Sequence, residues 1–247
     1  MARRKQDIDH ILGKWKYEPG EVQVRVIQGA DGRDVLQMRV DLGVLQLEME
    51  NRPDGVRPGG YETFLDFLIS EAIRLGPDFR MGEEECLEVD REFVQYYHRR
   101  VCWLSLRDFE RAVRDADHTL ALMDFAKKHS PSDDWTLSHE QYRPFVLFHR
   151  TQASALAALE QDQPEEAIGA IGDGLERMRQ FFDEYDAEER YGEDEMVERL
   201  QELRDTLRDR YQVGKTLAER LAEAVETEQY ELAAQLRDEI RRQRNGR

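Results

Sequence analysis

His98 and Cys102 are the residues whose types and spacing come closest to a chemical site. They lie four positions apart, so on a helix the imidazole and the thiol share one face and could bind a single metal ion. A zinc site needs further ligands of the same kind, and no second pair of His or Cys residues follows. The sequence therefore favours an ordinary packed helix face here and predicts no metal site.

Other residues that could carry chemistry also lack a recognisable motif. His118 and His149 have no nucleophile within such a motif, and Ser138 is placed to cap the start of a helix. The loop 51–60 carries two arginines among glycines, which could cradle a phosphate. It lacks the strand-to-helix pattern of a P-loop, however, and a turn explains it better. The sequence predicts no catalytic residue, no cofactor and no enzymatic activity.

The composition narrows the class of partner. The net charge of −17 means that the phosphate backbone of a nucleic acid repels the chain as a whole. The longest apolar stretches, such as 145–148, are far too short to span a membrane. The basic start, residues 1–5, does not lead into an apolar signal core, and the two cysteines, Cys86 and Cys102, cannot build a disulfide framework. These features predict a cytoplasmic protein that contacts neither membrane nor nucleic acid.

Residues 13–80 are predicted to form a small α+β domain, the first of the elements that could position a site. Three runs of alternating apolar and polar residues within 15–50 each fit a half-buried strand. Asp31-Gly32 is a strong turn signal between the first two runs, so they form an antiparallel meander with one apolar and one solvated face. The predicted cover of the apolar face is the segment that contains Phe64, Leu65, Phe67, Leu68 and Ile69.

Residues 88–183 change to a helical period and are predicted to form paired helices. These pairs resemble tetratricopeptide repeats (TPRs), in which small residues let paired helices pack closely. The resemblance implies a groove that binds another protein. Arg100 departs from it, since it stands where a small residue is expected, and ordinary helical hairpins remain the alternative. The residues at the small positions are Ala112, Thr119, Ala155, Ala167 and Gly174.

Residues 187–211 are predicted to form one exposed helix that links the domains. The stretch from Asp183 to Asp205 contains eleven acidic residues and three arginines, so nearly half of the net charge lies there. An acidic docking site is the alternative, but a solvated linker helix is the favoured interpretation.

The last segment, residues 213–244, has the pattern of a helical hairpin. Leu217, Leu221 and Ala224 form an apolar stripe on the first helix. At 100° per residue, one stripe of the second helix contains Tyr230, Ala233, Ala234, Leu236, Arg237 and Ile240. Because Arg237 falls inside this stripe, it is predicted to need a carboxylate, either Glu228 or an acid of the partner.

This hairpin resembles the UVR motif. The run from Tyr230 to Ile240 follows the motif's aromatic-Glu-x-Ala-Ala-x-Leu-Arg-Asp-x-Ile pattern, with tyrosine in place of the commoner phenylalanine. In the excision-repair proteins UvrB and UvrC the motif mediates contact between the two, and it also occurs in adaptors and ATPases of the Clp protease system. The resemblance implies a partner-binding site made of Leu217, Leu221, Ala224, Tyr230, Glu231, Ala233, Ala234, Leu236, Arg237, Asp238 and Ile240.

These patterns predict a mainly α-helical protein with a small N-terminal antiparallel β-meander, then TPR-like hairpins, a long helix and a C-terminal hairpin. The leading hypothesis is a non-enzymatic adaptor that docks through the hairpin onto a UvrB-, UvrC- or Clp-type protein, or onto itself. The alternative is an accessory factor of nucleotide excision repair. A nucleic-acid binder that uses the basic ends, residues 2–5 and 237–247, is the third hypothesis.

Overall fold

The fold is mainly helical, with one small sheet near the N-terminus, as the sequence predicts. The computed structural model describes residues 7–215 and 217–245. The strands are β1 (Val24–Gln28), β2 (Asp34–Val40) and β3 (Gly43–Glu48). The helices are α1 (Asp9–Leu12), α2 (Phe64–Leu75), α3 (Glu83–Leu106), α4 (Phe109–His129), α5 (Asp133–Glu140), α6 (Arg143–Glu160), α7 (Pro164–Glu184), α8 (Glu188–Tyr191), α9 (Glu195–Tyr211), α10 (Leu217–Glu226) and α11 (Tyr230–Asn245).

No helix within the described part of the chain is long and apolar enough to cross a membrane.

The three strands form the predicted meander, in the order β1-β2-β3 with antiparallel pairing. Leu36 of β2 lies opposite Val26 on one side and Leu47 on the other, so apolar side chains share one face. The opposite face is not solvated as predicted, since Gln37 and Arg39 are buried on it. Aromatic rings from the preceding segment cover its arginines: Trp15 lies 4.1 Å from the Arg25 guanidinium, and Tyr17 lies 5.7 Å from that of Arg39.

The sequence predicted that α2 covers the sheet, but the sheet packs mainly against α3. The buried residues of α2 instead enter a core shared with the start of α3 and the end of α4. Ile69, predicted to be part of the cover, is exposed. The reason is that α3 is long enough to present one part of its length to the sheet and another to α2. The buried members of this core are Phe64, Leu65, Leu68, Phe79, Met81, Cys86, Val89, Leu122 and Ala126.

Arg52 lies in the core and not in a phosphate cradle. Its side chain is 2% exposed, and its Nη2 donates to Glu88 Oε2 at 2.7 Å. Its Nε lies 3.4 Å from Glu92 Oε2, and Glu92 is itself fully buried. Glu92 also accepts from the amide of Phe64 at 2.7 Å and from the amide of Leu65 at 3.2 Å, which caps the N-terminus of α2. The loop 51–60 is therefore fixed to α3 by ion pairs.

A second buried ion pair joins α3 to α4. Arg99 donates from Nε and Nη2 to the two carboxylate oxygens of Asp115, both at 2.8 Å. Both side chains are 1% exposed. Asp115 Oδ2 also accepts from the indole N–H of Trp103, and Arg99 Nη1 donates to the carbonyl of Asn51 at 2.7 Å. This bidentate pair ties the two helices and the end of the sheet together.

The chain divides into two compact units, Met1–Ala153 and Ser154–Arg247. The division falls inside the predicted TPR-like region 88–183. The predicted boundary between residues 80 and 88 does not separate two cores, because the cluster of Phe64 and Leu68 extends into α3 and α4. The predicted small positions Ala112, Thr119, Ala155, Ala167 and Gly174 are all buried.

The region 187–211 is not one exposed helix. Gly192 and Glu193 separate α8 from α9, and Asp194 caps α9 by accepting from the amides of Met196 and Val197. Helix α9 packs against α7. Its apolar residues are few but share one face, and three of them are buried: Val197, Leu200 and Leu207.

Candidate protein interface

The C-terminal hairpin consists of α10 and α11, joined by a tight turn at 227–229. Glu228 adopts a left-handed conformation, with φ of 57°. The amide of Gln229 donates to the carbonyl of Ala224 at 2.7 Å, and the amide of Glu228 donates to that of Val225 at 3.1 Å, which closes the end of α10. The amide of Ala233 then donates to the carbonyl of Gln229 and begins the ladder of α11.

A small apolar core lies between the two helices. Ala224, Ala233 and Leu236 are buried, and Leu217 and Leu221 pack against them. One alanine from each helix is buried, which lets the backbones approach closely. The first-helix stripe predicted from the sequence, 217–224, therefore faces the second helix. Ile240 is half-buried.

The predicted stripe of α11 divides into two faces. Ala233, Leu236 and Ile240, at helical spacings of three and four, point towards α10, whereas Tyr230 and Ala234 are exposed. Only one of the paired alanines therefore thins the hairpin interface. At 100° per residue, the centres of the two faces lie about 100° apart, so a single wide stripe cannot be buried by one partner helix.

Arg237 lies on the exposed face and not within the core. Its side chain is 71% exposed, and its Nε lies 3.8 Å from Asp238 Oδ1, itself 57% exposed. The predicted need for Glu228 as a buried counter-charge does not arise, because water solvates this guanidinium. Glu231, a residue of the predicted partner-binding site, lies in the first turn of α11 and is exposed.

Val225 and Leu232 are exposed apolar residues of the described hairpin that the sequence did not predict as part of the site. Val225 is 53% exposed and Leu232 is 37% exposed, compared with 67% for Tyr230. Neither falls on the stripes derived from the spacing of the motif. The signal that could have found them is that both are large apolar residues outside the stripe that pairs the helices.

The pair His98 and Cys102 does not form a metal-like site. His98 Nδ1 lies 2.8 Å from the carbonyl of Val94, and Cys102 is fully buried. Burial raises the pKa of the Cys102 thiol to about 12, so the thiol is protonated at neutral pH. Ser138 does not cap the start of a helix, because it lies inside α5. The N-cap of α5 is Ser132, whose hydroxyl accepts from the amide of Trp135.

Arg100, the residue that departs from the repeat pattern, is buried between α3, α4 and α6. Its Nη1 donates to Thr119 Oγ1 at 3.0 Å, and its Nε donates to His149 Nδ1 at 3.4 Å. Burial lowers the pKa of Arg100 to about 10. Burial and then the charge of Arg100 lower the pKa of His149 to about 4, so this imidazole is neutral at pH 7 and accepts the hydrogen bond.

His149 should make the unit 7–153 sensitive to acid. Its pKa of about 4 in the folded state is below its ordinary value of 6.5, so between these values the unfolded chain binds more protons. Its contribution to stability is complete above pH 6.5 and is lost as the pH falls towards 4. We expect His149→Gln to reduce the loss of unfolding free energy between pH 7 and pH 5 by about 2 kcal/mol. Urea unfolding at both pH values measures this. Equal pH dependence in both proteins would contradict it.

Residues 215–245 match the family of the UvrB/uvrC motif, UVR. No curated protein and no solved structure matches the chain. The match covers the whole of the described hairpin, including both of its apolar faces. The C-terminal hairpin of this protein is therefore a UVR motif, a module known for protein–protein contact.

Proposed function

We propose that the protein is a non-enzymatic, cytoplasmic adaptor that docks onto a partner protein through its UVR hairpin. The observation that carries the proposal is the pair of exposed apolar residues in the hairpin, Val225 and Tyr230. The core of the hairpin is small, and two short helices are marginally stable alone in water. A partner that covers the exposed face removes apolar surface from water and stabilises the hairpin at the same time.

The charged rim supports the same surface. Glu231, Arg237 and Asp238 are exposed on α11 beside Tyr230, and the pair Arg237–Asp238 is weak at 3.8 Å. Charged groups at the edge of an apolar contact set the orientation of the partner more than its affinity. We therefore assign docking to the exposed residues of the predicted site. Hairpin stability is assigned to its buried residues and to the partly buried leucines that pack against them: Ala224, Ala233, Leu236, Leu217 and Leu221.

The double substitution Val225→Ser with Tyr230→Ser tests the docking surface. Both side chains are largely exposed, so the hairpin should keep its helices while losing its apolar contact. We expect at least ~30-fold weaker binding to the partner, because a truncated aromatic anchor typically costs about 2 kcal/mol or more. Titration calorimetry with purified UvrB-, UvrC- and Clp-type proteins measures it, with the chain ending at Tyr211 as the reference without a hairpin.

Leu42→Ser is the matched control, because Leu42 is 88% exposed and lies in the turn between β2 and β3. It should bind as the parent chain does. If none of the three protein types binds, and sedimentation shows a dimer that only the hairpin substitutions dissociate, the partner is a second copy of the chain. If the chain ending at Tyr211 binds as well as the full chain, the proposal is overturned.

The second candidate is an accessory role in nucleotide excision repair. It is favoured by the match of residues 215–245 to the UvrB/uvrC motif. Binding to the UvrB- or UvrC-type protein, but not to the Clp-type protein, in the same titrations would support it.

A further inference from the structure

A groove in the unit 7–153 carries a binding site of its own. It lies between α3, α5 and α6 and has a volume of about 680 Å³, within the range of small-molecule pockets. Its walls are aromatic. Phe93 packs beside Tyr142 with ring centroids 6.2 Å apart, and Tyr97 packs beside Phe145 at 6.1 Å, both pairs with tilted rings. Tyr142 is 50% exposed and Tyr97 is 37% exposed, so the rings are open to an incoming molecule.

Arg100 supplies a positive charge in the lining of this groove. The side chain is 1% exposed and borders the cavity. Thr119 Oγ1 accepts a hydrogen bond from Nη1 and His149 Nδ1 accepts one from Nε, and both partners are neutral. Among the described residues no carboxylate forms an ion pair with Arg100, because Asp115 is held by Arg99. A guanidinium this deeply buried usually has an acidic partner, since burial of an unpaired charge is costly.

Arg100 Nη2 has no hydrogen-bond partner among the described residues, yet it is not one of the unpaired polar atoms that the protein encloses completely. This nitrogen therefore keeps some surface exposure, and Arg100 lines the groove. A ligand oxygen placed there would gain a charge-assisted hydrogen bond that the protein itself does not provide.

The other end of the groove carries the negative charge of Asp90, which sets the orientation of a charged ligand. Asp90 lies ten residues before Arg100 on α3, which is about 15 Å along the helix. Its Oδ1 lies 2.8 Å from His139 Nε2 but has no hydrogen-bond partner among the described residues. An anionic ligand shorter than about 15 Å can reach Arg100 while its charge stays away from Asp90.

We propose that this groove binds a free, small aromatic carboxylate. The carboxylate accepts from Arg100 Nη2, and the aromatic part of the ligand packs among Phe93, Tyr97, Tyr142 and Phe145. A single negative charge matches the single unpaired positive charge. The aromatic lining and the volume of about 680 Å³ fit one drug-sized molecule, which buries most of its surface in such a pocket.

Titration calorimetry on the full chain with 2-naphthylacetate and its neutral amide tests the site. We expect the acid to bind at least ~10-fold more tightly than the amide. Arg100→Met should abolish this preference. Tyr142→Ser, at a half-exposed wall position, should weaken the acid and the amide equally and leave the preference intact. Tyr211→Ser, which changes an exposed tyrosine outside the groove, should bind as the parent chain does.

Three outcomes would overturn the assignment. The first is equal affinity of the parent chain for the acid and the amide, and the second is no binding of either. The third is binding of the peptide Gly-Ser-Gly-Phe with a free C-terminus but not of 2-naphthylacetate, which would assign the groove to a peptide terminus. If Arg100→Met fails to fold, Tyr142→Ser and the comparison of acid with amide in the parent chain still decide between these results.

Discussion

Asp115→Asn is expected to lower the free energy of unfolding by about 3–5 kcal/mol. The carboxylate holds both forks of the Arg99 guanidinium and the indole N–H of Trp103, and none of these groups is accessible to water. Asparagine keeps the volume but leaves the charge of Arg99 buried and without compensation. The cost therefore comes mainly from the stranded charge and exceeds the net contribution of the pair.

Asp117→Asn provides the matched control for this prediction. It is the same substitution on the same helix, two positions further on, where the carboxylate is 48% exposed and pairs with Arg150. An exposed pair contributes about 0–1 kcal/mol. Urea unfolding followed by tryptophan fluorescence reports on this unit, because Trp15, Trp103 and Trp135 all lie within residues 1–153. Equal losses for the two variants would show that burial of the Arg99–Asp115 pair has no energetic consequence.

Leu236→Ala is expected to unfold the hairpin and leave the rest of the chain folded. Leu236 is 3% exposed, and removal of a buried leucine side chain costs about 2–5 kcal/mol. The hairpin core has few other members, so it cannot absorb this loss. Hydrogen exchange over 217–245 should reach the rate of an unstructured peptide, and binding of the partner should be lost with it. The tryptophan unfolding transition should not change.

Leu232→Ala is the matched control for this prediction. The residue type and the helix are the same, but Leu232 is 37% exposed and does not belong to the hairpin core. Its exchange protection and its affinity for the partner should both remain, because two positions along α11 place Leu232 about 160° around the helix from Tyr230. Should Leu236→Ala retain full protection, the core between α10 and α11 would not be what holds the hairpin together.

The clearest difference between the structure and the expectation from the sequence pattern is the burial of several arginines. Arginine is almost never fully buried unless it is paired, so a sequence pattern assigns it to the surface. Here Arg52, Arg99 and Arg100 are each at most 2% exposed. The partners that make this possible are distant in sequence: Glu92 is 40 positions from Arg52, and Asp115 is 16 positions from Arg99. Only the packing of α3 brings them together.

The elements whose signals are local could be predicted from the sequence alone. The period-two alternation and the Asp31-Gly32 turn predicted the meander and its order, and the spacing from Tyr230 to Ile240 identified the UVR hairpin and its first-helix stripe. These features depend on neighbouring residues, and both were confirmed. Fold class followed from the same periodicities.

The tertiary fold determines which of several apolar or charged surfaces is covered. It placed α2 against α3 and α4, packed α9 against α7 despite its acidic composition, and turned Arg237 towards water. It also left Arg100 without a carboxylate beside an aromatic groove. A helix can bury only the face that another element contacts, and that choice depends on contacts between residues far apart in the chain. Local periodicity carries no information about it.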